Sequence, residues 1–533
     1  MNPDGESSPR LLTAGPLSCW LVGADLRQIT VDGVEVVQRL YAAVRDAHWG
    51  TVRTRVLRQD LSQNADGFRV TTEVEYREGQ IHHIAQVVHT ATADGTLDMT
   101  YVSEARSAFS SMRIGLCVHH PQQLAGTQAL VAHHDGSTHN VLIPLDLSSG
   151  QPARDIRALE TEIEGARIRL GFSGTVFEME DQRNYGDASF KTYCTPLEWP
   201  APVAVVPGDH VEHGLTLRVM SRPSVPRTTA SVTRLHIGDH LQPRARVGQL
   251  GPHARHGHVL LKLEIHGDWK AQLASAEFNR SRDGLPVLVA VAAETVTESR
   301  ARALAAVLPP DSDVLVLDGA AASDCTAAVA LLRAVLPPEV RLGSGSRQQF
   351  YEVNCGVAAG HVIAGDLLSF TINPLVHADD DWSLFENTAA YSEIVASARK
   401  WGRPLHIGPL GLPDSDPRQA TERGAAWLTA ALAYLLPTLT ANDALTLGAP
   451  TAAKTPSEAL LDALAETTGQ LPVSRNQANG IVAFAAARKD GKNVKRVFIA
   501  NTSHLPAAVL VSGLRQGGEA LRLAPWAMTI LDG

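Results

Sequence analysis

Asn373, His377, Asp379, Asp380, Asp381 and Glu386 fall within fourteen residues, in the run NPLVHADDDWSLFE. An imidazole among carboxylates suits general acid/base work, because a carboxylate can hold one ring nitrogen protonated and raise the basicity of the other. His377 with Asp380 is therefore a candidate proton-transfer set, with Asn373 a substrate hydrogen-bonder. The same run also carries helix-start signals. Ser383-Leu-Phe-Glu386 has capping-box spacing, and Asp380 and Asp381 favour a helix N-terminus electrostatically.

A second candidate group is VRLGSGSRQQFYEVNCG (residues 340–356). Here Gly343 and Gly345 permit close backbone approach, and Arg347, Glu352 and Asn354 follow. Glu352 could act as general acid or base, with Arg347 and Asn354 contacting substrate hydroxyls or an oxyanion. Glu264 and Asp268, in LLKLEIHGDW, are further carboxylates, Asp268 also being placed to cap a helix starting at Trp269. A third feature is FEMEDQRNYGDASFKTY, residues 177–193, with six charged side chains in seventeen positions and no apolar face of helical or strand period. It reads either as a polar surface facing a polar ligand or as an ion-pair network.

Absent patterns narrow the chemistry. There is no Gly-x-Ser-x-Gly elbow, no phosphate-cradling Gly-x-x-x-x-Gly-Lys-Ser/Thr and no Gly-x-Gly-x-x-Gly. The 21 histidines include His119-His120, His133-His134 and His253/His256/His258, but none shows His-Glu-x-x-His spacing, so no metal and no other cofactor is expected. A net charge of −9 leaves no electrostatic footprint for nucleic acid. Five scattered cysteines, without a Cys-x-x-Cys, suit a reducing compartment and point to the cytoplasm. No basic-then-apolar leader and no apolar run of about 18 residues marks a signal peptide or a membrane span.

These residues need elements to position them. A chain of 533 residues exceeds the roughly 250–300 residues at which single cores stop growing, and at 44% hydrophobic it can bury several. Residues 1–225 read as an N-terminal β-sandwich: FRVTTEVEY, HHIAQVVHTAT, TLDMTYV, ARIRLGF and GLTLRVM are strands, separated by turn signals at 93–95 and 135–136. VEVVQRLYAAVRD (34–46) reads as a helix interrupting them. Residues 226–470 alternate strand and helix. The apolar runs at 235–238, 259–265, 286–292, 313–319, 340–345, 367–373, 404–410 and 444–450 predict a (β/α)8 TIM barrel, whose functional residues sit at the strands' C-terminal ends. Residues 471–533 predict a small C-terminal β-sheet domain, with a hairpin turning near Asp490-Gly491.

Five segments in register resemble one family. LRQITVDGVEVVQRLYAAVRDAHWGT, FEMEDQRNYGDASFKTY, GSGSRQQFYEVN, FTINPLVHADDDWSLFE and DPRQ (416–419) are similar, in that order, to segments of the D-apionate lactonase family. Those are sugar-acid lactone hydrolases with a barrel like that of clan A glycoside hydrolases. The resemblance spans about residue 20 to residue 430. It implies a hydrolase acting on a small carbohydrate or sugar-lactone substrate, and neither a nucleic-acid nor a membrane partner. A homo-oligomer stays open.

The resemblance also implies that Glu180, Asp181, Arg183, Asn184, Asp187 and Lys191 form a family-specific polar segment. It points as well to Glu352, Asn354, Asn373, His377, Asp416 and Arg418. Two departures stand out. After the fourth barrel strand the family carries a Gly-Glu, where this chain reads DVLVLDG with Asp318. After the eighth it carries an aromatic-Glu-Thr-Thr-Gly, where this chain reads LTLGAPTAAK. The alternatives to a lactonase are therefore a glycosidase using Glu352 with Asp380 or Asp318, and a carbohydrate-binding pseudoenzyme.

Overall fold

The structure, a computed structural model, describes residues 8–225, 232–251, 254, 257–263, 267–275, 285–308, 312–318, 325–449, 455–475, 480–490, 494–514 and 519–533. They form two compact units, Met1–Gln182 with Ala188–Thr229, and Arg183–Asp187 with Ala230–Gly533.

The first unit is built from an eight-stranded and a nine-stranded sheet. Both contribute to one core: Leu26, Val37 and Leu116 from the first meet Val70, Val87 and Leu217 from the second. The turn signals act as expected. Between Ile81–Thr92 and Thr96–Ala105, Asp94 accepts hydrogen bonds from the Thr92 hydroxyl at 2.6 Å and the Thr96 amide at 3.1 Å. Gly95 beside it adopts a φ of +87°, open mainly to glycine.

VEVVQRLYAAVRD is not a helix. Val34–Arg45 is a twelve-residue strand paired between Asp25–Val31 and Arg113–Pro121. Most of its side chains are buried on both faces, so the apolar positions lose the two-residue alternation that identifies a strand.

In the second unit, eight parallel strands close a barrel: Arg246–Leu250, Val259–Lys262, Val287–Ala292, Asp313–Asp318, Arg341–Ser346, Leu367–Phe370, Leu405–Leu410 and Ala444–Leu447. Seven lie in the runs read from sequence; the first does not. LHIG belongs to Thr233–Ile237, which pairs with Val473–Arg475 and Ala507–Ser512 in a C-terminal sheet. The true first strand begins with a charge. Arg246 donates to Asp313 at 2.6 Å at the strands' N-terminal ends, and Arg341 holds the same carboxylate at 2.7 and 2.8 Å. Within the strand, RVGQL, a buried Gln249 and a Gly248 whose Cβ would meet the His258 carbonyl at 2.2 Å also interrupt the apolar run.

The barrel interior is partly polar. The Thr446 hydroxyl lies 2.8 Å from Nε2 of both His258 and His406, and His406 Nδ1 lies 2.8 Å from the Ser369 hydroxyl. The C-terminal residues form two four-stranded sheets around Ile237, Ile481, Val497 and Val509. The predicted hairpin pairs Ile481–Arg488 with Lys495–Asn501; Gly491 lies outside the described residues.

Candidate active site

The polar stretch 177–193 resolves into three parts. Phe177–Asp181 and Ser189–Cys194 are paired, buried strands of the eight-stranded sheet. The five residues between, Arg183–Asp187, belong to the barrel's unit. A 3-10 turn, Gln182–Tyr185, begins this excursion. Gly186 completes it at φ +105°, where an added Cβ would come within 3.1 Å of Ile372 Cγ2 at the end of the sixth strand.

The four side chains of this excursion each make a definite contact. The buried Arg183 guanidinium donates to Glu393 at 2.6 Å, on the helix Tyr391–Arg399. Asn184 Oδ1 accepts from Asn354 Nδ2 at 2.8 Å. The Tyr185 ring stacks on Tyr351 with centroids 4.5 Å apart and meets His377 edge-on at 5.0 Å. Asp187 Oδ2 lies 2.5 Å from His377 Nδ1, and its Oδ1 accepts from Asn387 Nδ2 at 2.8 Å. A carboxylate can only accept, so His377 Nδ1 is the donor, and in the neutral ring the lone pair then falls on Nε2. Both groups are largely buried, His377 at 14% and Asp187 at 6% side-chain exposure, which strengthens the pairing.

The other candidates are placed as follows. Asn373 Oδ1 accepts from the Leu375 amide at 3.0 Å, shaping the loop that delivers His377. Asp380, not Ser383, is the N-cap of Asp381–Glu386: its two oxygens accept from the Ser383 amide and hydroxyl, each at 2.9 Å. Asp381 accepts from Arg418 at 3.0 Å, and Arg418 also grips Asp416 at 2.6 Å. Arg347 donates to Glu294 at 2.8 Å, and its amide bonds the carbonyl of Asp318. Asp268 caps Trp269–Leu273 through the Lys270 amide. Glu264 lies outside the described residues.

Glu352 stands in the first turn of Phe350–Ala358. Burial pushes its carboxyl above the ordinary range. Among the described residues its Oε2 has no hydrogen-bond partner, and it makes no bond to His377. It lines a cavity of about 50 Å³ with Asp318, Cys325, Ser346 and His361. Glu180, Asp181 and Lys191 belong to the first unit. Glu180 accepts from Gln182 at 2.6 Å and stands 3.8 Å from Lys191, while Asp181 accepts from the Ser148 amide at 2.9 Å.

Sequence reasoning did not connect Asp187 with His377, 190 residues away. Tyr185, Tyr351 and Asn387 also escaped notice, although Tyr185 and Asp187 stand in the charge-rich stretch and Tyr351 beside Glu352. Among the described residues no group of three or more His, Cys, Asp or Glu is placed to share a metal ion, and no helix is long and apolar enough to cross a membrane.

Comparison with known proteins decides the family. Residues 2–222 match the D-apionate lactonase N-terminal domain and residues 230–414 the D-apionate lactonase TIM barrel domain. The chain belongs to the D-apionate lactonase family. A D-apionate lactonase from Brucella anthropi is 28% identical over 459 residues, covering 76% of this chain and 73% of that protein. Among solved structures, a glycoside hydrolase family 44 endoglucanase from Clostridium thermocellum aligns with a TM-score of 0.40 at 9% identity, over 57% of this chain and 100% of that one. An aldose epimerase homologue from C. elegans aligns at 0.26 and 10%, over 41% and 100%. Likenesses this weak bear on neither fold nor function. Family membership places the Arg183–Asp187 excursion and its contacts within a family of carbohydrate-processing hydrolases.

Proposed function

We propose that the protein hydrolyses the lactone of a sugar acid, with His377 as the base that activates water. The observation carrying this reading is the 2.5 Å contact between His377 Nδ1 and Asp187, itself anchored by Asn387. Nε2 takes a proton from water as the hydroxide adds to the lactone carbonyl. The imidazolium, stabilised by Asp187, then returns the proton to the departing ring oxygen. The developing oxyanion needs donors. Asn354, Asn373 and Arg347 supply them in this reading, and Arg183, through Glu393, steadies the excursion that carries Asp187. The name of the Brucella anthropi relative, D-apionate lactonase, supports a D-apionolactone-like substrate in this reading.

A second reading has one observation in its favour. Glu352, its carboxyl raised by burial, lines the same small cavity as Asp318, which favours these two as the carboxylates to test for glycoside hydrolysis. A screen of sugar lactones and aryl glycosides separates the two. Under the lactonase reading, His377→Ala loses at least a hundredfold in kcat/KM on the best lactone while Glu352→Gln stays active. Turnover of glycosides alone, abolished by Glu352→Gln, reverses the assignment. Retention of lactone turnover within about threefold by His377→Ala, roughly 0.7 kcal/mol, rejects the base.

A further inference from the structure

One large cavity of the first unit shares no residue with this chemistry. A groove of about 1020 Å³ runs over the outward face of the nine-stranded sheet of the first unit. Its volume reaches the upper end of small-molecule sites, ample for several linked sugar rings. It shares no residue with Arg183–Asp187 or with the barrel.

Its shape follows from which residues point outward. Across four neighbouring strands, one row reads Ala158, Gly171, Thr216, Asp98 and the next reads Ser173, Gly214, Thr100. Short side chains replace the long charged ones usual on a solvent face, and the middle of the sheet sinks. Gly214 has no room to spare: a Cβ there would meet the Ser173 hydroxyl at 2.6 Å. The floor offers the hydroxyls of Thr90, Thr100, Ser173 and Thr216, which can pair with sugar hydroxyls as donor and acceptor.

The walls carry positive charge. Arg69, Arg157 and Arg169 line the groove. Among the described residues Arg69 donates only to the Thr90 hydroxyl, at 3.0 Å. The Arg157 guanidinium is exposed and makes no hydrogen bond or ion pair among the described residues. Arg169 shares the single carboxylate of Glu160 with Arg167, at 2.6 and 2.7 Å. Asp98 is the acidic side chain lining the groove, and it accepts from Thr216 at 2.5 Å. A cationic trough on a chain of net charge −9 is a local complement to an anion. The planar guanidinium matches a carboxylate with two parallel hydrogen bonds. Of the two aromatic rings lining the groove, Phe172 is buried and His133 already stacks on His139, so neither is an open platform for a nucleobase.

The geometry points to a binding site for a carboxylated oligosaccharide, a short chain of uronic-acid units, on the outer face of the nine-stranded sheet. Guanidiniums hold the carboxylates and the hydroxyl-lined floor holds the ring hydroxyls. This site uses none of the residues of the lactonase chemistry, so the oligosaccharide binds whatever reaction the barrel performs.

Calorimetric titration of the full chain with trigalacturonate tests it, with cellotriose and inorganic phosphate as comparison ligands. The wild type binds trigalacturonate saturably and more weakly as salt rises, and binds cellotriose far less. Arg157→Ala weakens binding roughly ten- to hundredfold. Thr100→Trp, a change at an exposed position that fills the groove, abolishes it. Both variants keep wild-type thermal unfolding and lactone turnover. The assignment is overturned by any of three results: no saturable binding at millimolar trigalacturonate, equal affinity for cellotriose or phosphate, or both variants binding as tightly as wild type.

Discussion

Asp187→Asn isolates the contact on which the proposed chemistry turns. The amide keeps the carboxylate's size, and its oxygen can still accept from Asn387, which holds Oδ1 at 2.8 Å in the native protein. What changes is the 2.5 Å partnership with His377 Nδ1. A neutral amide forfeits a charge-assisted, largely buried hydrogen bond worth about 1.5–3 kcal/mol, and it no longer stabilises the imidazolium formed at the transition state. If the amide turns its NH2 toward Nδ1, the ring must carry its proton on Nε2 and loses its lone pair where the base needs it. The first loss alone predicts a fall of roughly ten- to 150-fold in kcat/KM for the lactone, and the tautomer change deepens it. The assay is initial-rate kinetics on the best lactone from the substrate screen, beside thermal unfolding of the same preparation. The fall should lie in kcat more than in KM, since the base acts on water, with the variant folded at the assay temperature. A variant within about threefold of wild type, or one whose loss tracks unfolding alone, refutes the reasoning.

Burial holds the imidazoles of His83, His120, His213, His258 and His406 at pKa values of about 3 or 4, against roughly 6.5 in an unfolded chain. The unfolded chain therefore binds protons first. The stability these groups confer is complete above about pH 6.5 and drains as pH falls toward 4, so urea midpoints should drop steadily between pH 7 and 5. A flat midpoint across that window contradicts their burial. Asp313→Ala leaves the partly exposed Arg246 and Arg341 guanidiniums without their shared carboxylate, so chemical denaturation should show a loss of about 1.5–3 kcal/mol. Asp380→Asn preserves a good N-cap while removing the ionisable group, so lactone turnover should stay within about twofold. A hundredfold loss would make Asp380 a participant in the chemistry.

Much of the second unit was legible because a parallel barrel writes itself in a simple code. Strands buried on both faces appear as unbroken apolar runs, and seven of the eight were found that way. The exceptions share a cause. Val34–Arg45 lacked alternation because both its faces are covered, and Arg246–Leu250 lacked an apolar run because Arg246 serves an ion pair and Gly248 and the buried Gln249 interrupt the rest. Local sequence records how a segment is buried only when its surroundings are ordinary.

The functional residues divide in the same way. Their types and neighbourhoods were set locally: an imidazole beyond the sixth strand, a carboxyl and an amide beyond the fifth, and a charge-dense stretch at 177–193. Which carboxylate serves His377 was not. Three aspartates lie within four residues of it, yet Asp187, 190 residues earlier, takes the position, because the caps and ion pairs of the next helix use Asp380 and Asp381. Pairing across such a distance depends on where the chain's excursion at Arg183–Asp187 comes to rest, and only the packed structure decides that.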